Sequence, residues 1–118
     1  MISWQSSGWG HKKNEGFPVI ILVDERPLVT DAYESGFARE GISSIGFEPP
    51  EFEDWVATAP EPDLMAVEAF VIGNCDRQAS YPKIIRGRSP APVLAMNENE
   101  GLEQTLKLFE AGVDDVVR

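Results

Sequence analysis

From Val19 onward, short apolar runs alternate with longer stretches of helical period, the pattern of βα units that builds a parallel sheet. The first run, Val19-Ile20-Ile21-Leu22-Val23, is continuous and mostly β-branched, as a strand covered on both faces should be, and it stops at Asp24-Glu25. Pro27 then predicts a helix start, where a missing N–H costs nothing. Leu28, Ala32, Tyr33 and Phe37 recur at helical spacing on one apolar face until Gly41 ends the helix. Residues 42–47 predict a second, weaker strand. Pro49-Pro50 breaks the chain, and Phe52, Trp55 and Val56 mark a short helix with one buried side. Ala59-Pro60-Glu61-Pro62 reads as a connector. The longest apolar run, 64–72, is interrupted only by Glu68 and belongs at the centre of the sheet. Pro82 limits the third helix, within 77–86, to a short segment starting near that proline. Residues 93–96 predict a fourth strand. A fourth helix follows over 101–110, with Leu102, Leu106 and Phe109 on one face and Gly112 as its C-terminal cap. Asp115-Val116-Val117 opens a fifth strand, where the sequence stops.

These elements account for residues 18–118 as one α/β domain, and a chain of 118 residues with 42% apolar content has room for one core. Residues 1–17 carry Gly, Ser, Lys and isolated Trp4 and Trp9 without period, and read as a flexible arm; His11, beside Lys12 and Lys13, has no nearby His, Asp or Cys at metal-binding spacing. The formal charge of −10, from 20 acidic against 10 basic side chains, repels phosphate backbones and anionic lipid, so this stretch should not bind DNA or a membrane by itself. Its single cysteine, Cys75, excludes an internal disulfide framework and reads as packing. No run approaches the ~20 apolar residues that span a bilayer, and the start lacks a secretory core, which makes the cytoplasm the default location.

In an open parallel sheet, ligands bind beyond the carboxyl ends of the strands, which directs attention to Asp24 and Glu25 after the first strand and Asn97 after the fourth. Glu68, a carboxylate inside the most apolar run, is the least expected residue, because burying an unpaired charge is expensive. If the strand ends converge, three carboxylates and an amide share a crevice. The bland alternative is that the strand ends earlier and Glu68 simply reaches solvent. No glycine-rich phosphate cradle follows the first strand, where Asp-Glu-Arg-Pro stands instead.

In order and spacing, Ile21-Leu22-Val23-Asp24-Glu25-Arg26-Pro27, Pro62-Asp63-Leu64-Met65-Ala66-Val67-Glu68, Pro92-Val93-Leu94-Ala95-Met96-Asn97 and Ala111-Gly112-Val113-Asp114-Asp115-Val116-Val117 resemble the landmarks of response-regulator receiver domains. The resemblance covers 19–118. It is strongest to atypical OmpR-like regulators of flagellar genes in alphaproteobacteria, at Gly36-Phe37-Ala38-Arg39-Glu40-Gly41-Ile42, Ala66-Val67-Glu68-Ala69-Phe70 and the stretch ending in Arg118. It implies a flavodoxin-like, doubly wound sheet of five parallel strands, truncated here before the last helix. It also implies Mg²⁺ on an acid pair matching Asp24 and Glu25, a phosphoacceptor aspartate at the position of Glu68, and a Ser or Thr switch at the position of Asn97. A lysine following the fifth strand belongs to that pattern and falls beyond this sequence.

On this alignment Glu68 is a methylene too long for in-line phosphoryl transfer, and its fixed charge partly imitates a phosphoaspartate. The Asn97 amide is placed to donate to it and lock the switch. The sequence therefore reads as a signalling module and not an enzyme: a phosphorylation-independent pseudo-receiver of two-component type that requires no cofactor, with Mg²⁺ at most weakly bound. The alternative is a phospho-accepting, Mg²⁺-dependent receiver. The implied partners are a second copy, through the surface of the fourth helix and fifth strand, and DNA only through an effector domain outside this sequence. A histidine kinase upstream is compatible with the resemblance.

Overall fold

The computed structural model describes residues 19–98 and 101–117; the expected arm at 1–17 lies outside them. In chain order the elements are β1 Val19–Val23, α1 Pro27–Arg39, β2 Ser43–Phe47, α2 Pro49–Thr58, α3 Glu61–Met65 and β3 Val67–Ile72. A 3₁₀ turn at Gln78–Ser80 then leads into α4 Tyr81–Arg86, β4 Val93–Met96, α5 Leu102–Ala111 and β5 Asp115–Val117. The five strands are parallel, in the order β2-β1-β3-β4-β5, so consecutive strands connect by βα crossovers and the order reverses next to β1. This is the doubly wound α/β sheet that the sequence predicts, with β3 at its centre.

Alternation along the strands divides the sheet into two unequal faces. Val19, Ile21 and Val23 of β1, with Phe70 and Ile72 of β3 and Val93 and Ala95 of β4, point into one core with Phe52, Trp55 and Val56 of α2, Tyr81 and Ile85 of α4, and Leu108 of α5. Its centre is aromatic. The Phe52 ring meets Tyr81 edge-on at 5.0 Å and Phe47 stacks on Trp55 at 5.5 Å, geometries that add to the area these rings bury. Leu22 points to the other face, where Val29, Thr30 and Tyr33 of α1 close a small cleft with Val71 and Met96.

Two helices present faces other than the expected ones. In α1, Leu28 is 82% exposed and Ala32 is exposed, whereas Thr30 is buried and Glu34 turns inward to accept the Gly46 amide of edge strand β2. A side chain at Gly46 would collide with Thr30, so the glycine lets α1 lie close to β2. The Glu34 carboxylate thus satisfies an edge-strand amide that an apolar face could not, while the Thr30 hydroxyl donates to the Pro27 carbonyl of its own helix. In α5, Leu102, Leu106 and Phe109 are 70%, 52% and 45% exposed, and Leu108 alone is buried. That helix ends, as predicted, at Gly112 in the left-handed conformation with φ of 109°.

The run 64–72 also divides differently. Pro60, Glu61 and Pro62 start the short α3, in which Leu64 is buried, and the strand begins only at Val67. Val19 pairs with Val67 and Ile20 with Ala69, which leaves Glu68 as the extra residue of a β-bulge at the amino end of β3. Its side chain is exposed to solvent.

Candidate functional site

The carboxyl tips of β1, β3 and β4 are adjacent: Val23 pairs with Ile72, and Ile72 with Ala95. The residues just beyond them form the crevice, namely Asp24, Glu25 and Arg26 after β1, Gly73 and Asn74 after β3, and Asn97 and Glu98 after β4. Asp24 is the buried centre, 3% exposed. Its Oδ1 accepts the Arg26 backbone N–H at 2.9 Å and the Arg26 Nε at 3.0 Å; its Oδ2 accepts a terminal guanidinium nitrogen of Arg26 at 3.1 Å and the Asn74 backbone N–H at 3.1 Å. Burial works to raise the Asp24 pKa, but these donors and the guanidinium charge overcome it and hold the carboxyl below its ordinary range.

Gly73 is required by this approach. A Cβ there would stand 2.3 Å from Asp24 Oδ2 and 3.0 Å from the Val23 carbonyl. The Gly73 N–H donates to that carbonyl at 2.6 Å, drawing the two tips together. Asn74 turns its amide outward, where Nδ2 donates to Glu25 Oε1 at 3.1 Å, and the Glu25 N–H donates to the Asn74 carbonyl at 3.1 Å. From below, the Gln78 amide donates to the last carbonyls of both neighbouring strands, Ile72 at 3.0 Å and Met96 at 2.8 Å. One side chain thereby fixes the β3 and β4 tips relative to each other.

At the β4 tip, the Asn97 N–H donates to the Val117 carbonyl at 2.8 Å, and its Nδ2 donates to Thr105 Oγ1 of α5 at 3.3 Å. Glu98 pairs with Arg26 through both carboxylate oxygens. Beside the crevice lies Cys75, whose thiol is pushed up to about 11, first by burial and then, against a backbone hydrogen bond, by the negative field of Glu25 and Asp24. It stays protonated at neutral pH and is a poor nucleophile.

Of the residues singled out from sequence, Asp24, Glu25 and Asn97 share this edge of the sheet. Glu68 does not. It sits six residues before Asn74, roughly 20 Å away along the strand, at the opposite end and in solvent. The expectation that it occupies the phosphoacceptor position, with Asn97 donating to it, is therefore corrected. The residue at the β3 tip is Asn74, and Asn97 engages Thr105. Sequence reasoning missed Asn74, Gly73, Arg26 and Glu98. The signal was present in Phe70-Val71-Ile72-Gly73-Asn74, since the rule that selects residues beyond strand ends, followed to the end of the apolar run, leads to Gly73 and Asn74 rather than to Glu68.

Comparison with known proteins bears on what this arrangement is. No family model matches the chain. It is 53% identical over 100 residues to the flagellar transcriptional regulator FtcR of Brucella abortus and of Brucella suis, a match covering 85% of this chain and 44% of theirs. The chain thus spans less than half the length of these relatives. Among solved structures, an orphan response regulator of H. pylori superposes with a TM-score of 0.65 at 18% identity, covering 84% of this chain and 80% of that one. An atypical orphan response regulator, described as revealing a phosphorylation-independent regulatory mechanism, gives 0.65 at 19% identity over 83% and 78%. A response regulator of Burkholderia pseudomallei, solved with a phosphorylated aspartic acid and a calcium ion, gives 0.69 at 12% over 84% and 58%. The chain has the fold of response-regulator receiver domains.

At the tips of this receiver-like sheet, the donors present do not suit the Mg²⁺ that the resemblance implies. Such an ion takes about six oxygen ligands in near-octahedral array, whereas both oxygens of Asp24 already accept N–H donors and the β3 tip offers an amide that donates to Glu25. Among the described residues, no three His, Cys, Asp or Glu side chains are grouped to hold a metal ion. Nor is any described helix long and apolar enough to cross a membrane.

Proposed function

We propose that this receiver is part of a flagellar transcriptional regulator and that phosphorylation does not set its state. The observation that carries the reading is Asn74 at the tip of the central strand, where it follows Phe70-Val71-Ile72-Gly73 and lies against Asp24 and Glu25. Phosphoryl transfer to a receiver needs a carboxylate nucleophile and a cation to neutralise the entering phosphate. A carboxamide has no anionic oxygen to attack with. The neighbouring cation is the protein's own guanidinium, already committed to Asp24. On this reading the domain needs no cofactor, performs no turnover, works in the cytoplasm and reaches DNA only through an effector region outside this sequence.

The output surface is α5. Leu102, Leu106 and Phe109 form an exposed apolar stripe, with Val117 of β5 also 37% exposed. We assign this surface to a second copy of the chain, since a self-complementary apolar patch lets two molecules of charge −10 associate without opposing like charges at the centre of contact.

Incubation with acetyl phosphate and Mg²⁺, followed by intact mass, tests the reading. The native protein is expected to gain no phosphoryl group under conditions that label a receiver carrying the aspartate. A stoichiometric, alkali-labile adduct would overturn it.

A further inference from the structure

We infer that Arg26 is a resident cation that latches the receiver in one state, a regulatory role for the same crevice that rests on the phosphorylation-independent reading. The guanidinium lies between two carboxylates. One edge forks onto Asp24, through Nε at 3.0 Å and Nη2 at 3.1 Å, and the same Nη2 together with Nη1 meets both oxygens of Glu98. Asp24 follows β1 and Glu98 lies just beyond β4, and in the sheet order β3 runs between those two strands. A bridge from one to the other spans about two strand spacings, roughly 10 Å, and must cross the β3 tip where Asn74 lies. The guanidinium thus joins the strands on either side of β3, whose tip carries Asn74.

The latch also reaches the output surface through consecutive residues. Glu98 is held by Arg26, while its neighbour Asn97 donates to Val117 of β5 and to Thr105 of α5. Thr105 shares its helix with Leu102, Leu106 and Phe109. Holding Glu98 therefore bears directly on Asn97, whose hydrogen bonds reach β5 and α5. The planar five-donor fork of arginine fits two carboxylates at once; the ammonium of a lysine, a point charge, does not.

Amide hydrogen exchange on the native protein and on Arg26→Ala, Arg26→Lys and Glu98→Gln tests the latch. The Asn97 amide, which donates to Val117, reports on the β4 tip; the Phe70 amide, which donates to Pro92 at the far end of the sheet, reports on global stability. The latch requires Asn97 to exchange roughly three- to tenfold faster in all three variants while Phe70 changes less than twofold. Unchanged Asn97 exchange overturns the proposal. Equal acceleration at both amides overturns it too, as does full protection with lysine, which would make the fork irrelevant. A phosphoryl adduct on the native protein would sink the functional reading and leave these exchange rates as they are, so the two failures are separable.

Discussion

Replacing Gly73 by alanine places one methyl group against the centre of the crevice. The backbone of Gly73 is not in the left-handed region, which among the described glycines is occupied only by Gly41 and Gly112, so alanine can adopt its conformation without dihedral strain. That substitution by itself would stabilise by about 0.4–1 kcal/mol through the unfolded chain. Against this stands a Cβ at 2.3 Å from Asp24 Oδ2 and 3.0 Å from the Val23 carbonyl, and one of these groups has to move. Overpacking of this kind costs about 1–3 kcal/mol. Asp24 has little freedom to yield, since Arg26 and the Asn74 amide hold it; losing the Asn74 bond adds about 1.5 kcal/mol or more. The net expectation for Gly73→Ala is a loss of about 2 kcal/mol, which lowers Tm by roughly 10 °C in a domain this small. Urea unfolding of Gly73→Ala, Asp24→Ala and the double variant isolates the cause. With the carboxylate gone, the added methyl should cost under about 0.5 kcal/mol. A Gly73→Ala variant as stable as the parent, or an identical cost in both backgrounds, would refute the close approach of Asp24 to the β3 tip.

Three further outcomes follow from the same structure. Asp24 and Asp114 both have folded pKa values below their unfolded ones, the former through Arg26 and Asn74 against the opposing effect of burial, the latter through the Val93 amide and Arg86. Their contribution is therefore present above the unfolded carboxyl range and lost as pH falls below about 4; urea midpoints should fall steeply below about pH 4, and a flat profile would contradict this. Arg88 closes the carboxyl end of α2 by donating to the carbonyls of Val56 at 2.8 Å, Ala57 at 2.9 Å and Ala59 at 2.9 Å, so Arg88→Ala should cost about 1–2 kcal/mol in chemical denaturation. Glu68→Gln, in contrast, should stay within about 0.5 kcal/mol of the parent and leave the Asn97 amide unshifted in NMR spectra; a larger effect at either would place Glu68 in contact with the crevice.

The strands and their order of burial were legible because a parallel sheet covered on both faces leaves continuous apolar runs, and β1 and β4 are such runs. Pro27, Pro82 and Gly112 marked helix limits through backbone restrictions that tertiary packing does not override. Which face a helix buries was less legible. Periodicity in α5 shows an apolar stripe at Leu102, Leu106 and Phe109, yet that stripe faces outward, and nothing in a one-dimensional pattern separates a core face from an exposed one. In α1 the inward positions are Thr30, which packs against Gly46, and Glu34, which accepts the Gly46 amide of an edge strand. Glu68 misled for a related reason. It interrupts an apolar run, but that run is a helix end, a bulge and a strand in succession, and a bulge tolerates an outward carboxylate. Arg26 was invisible as a site residue because its role comes from Glu98, which lies 72 residues away in sequence and is brought near by the sheet.

The claim that phosphate does not set the state of this receiver is tested most directly by amide NMR of the native protein titrated with Mg²⁺ and beryllofluoride, a stable analogue of the phosphoryl group. The account predicts that the resonances of Asp24, Gly73, Asn74, Asn97 and Thr105 stay in place across the titration. Saturable shifts that begin at Asn74 and extend through Asn97 to Thr105 would contradict it.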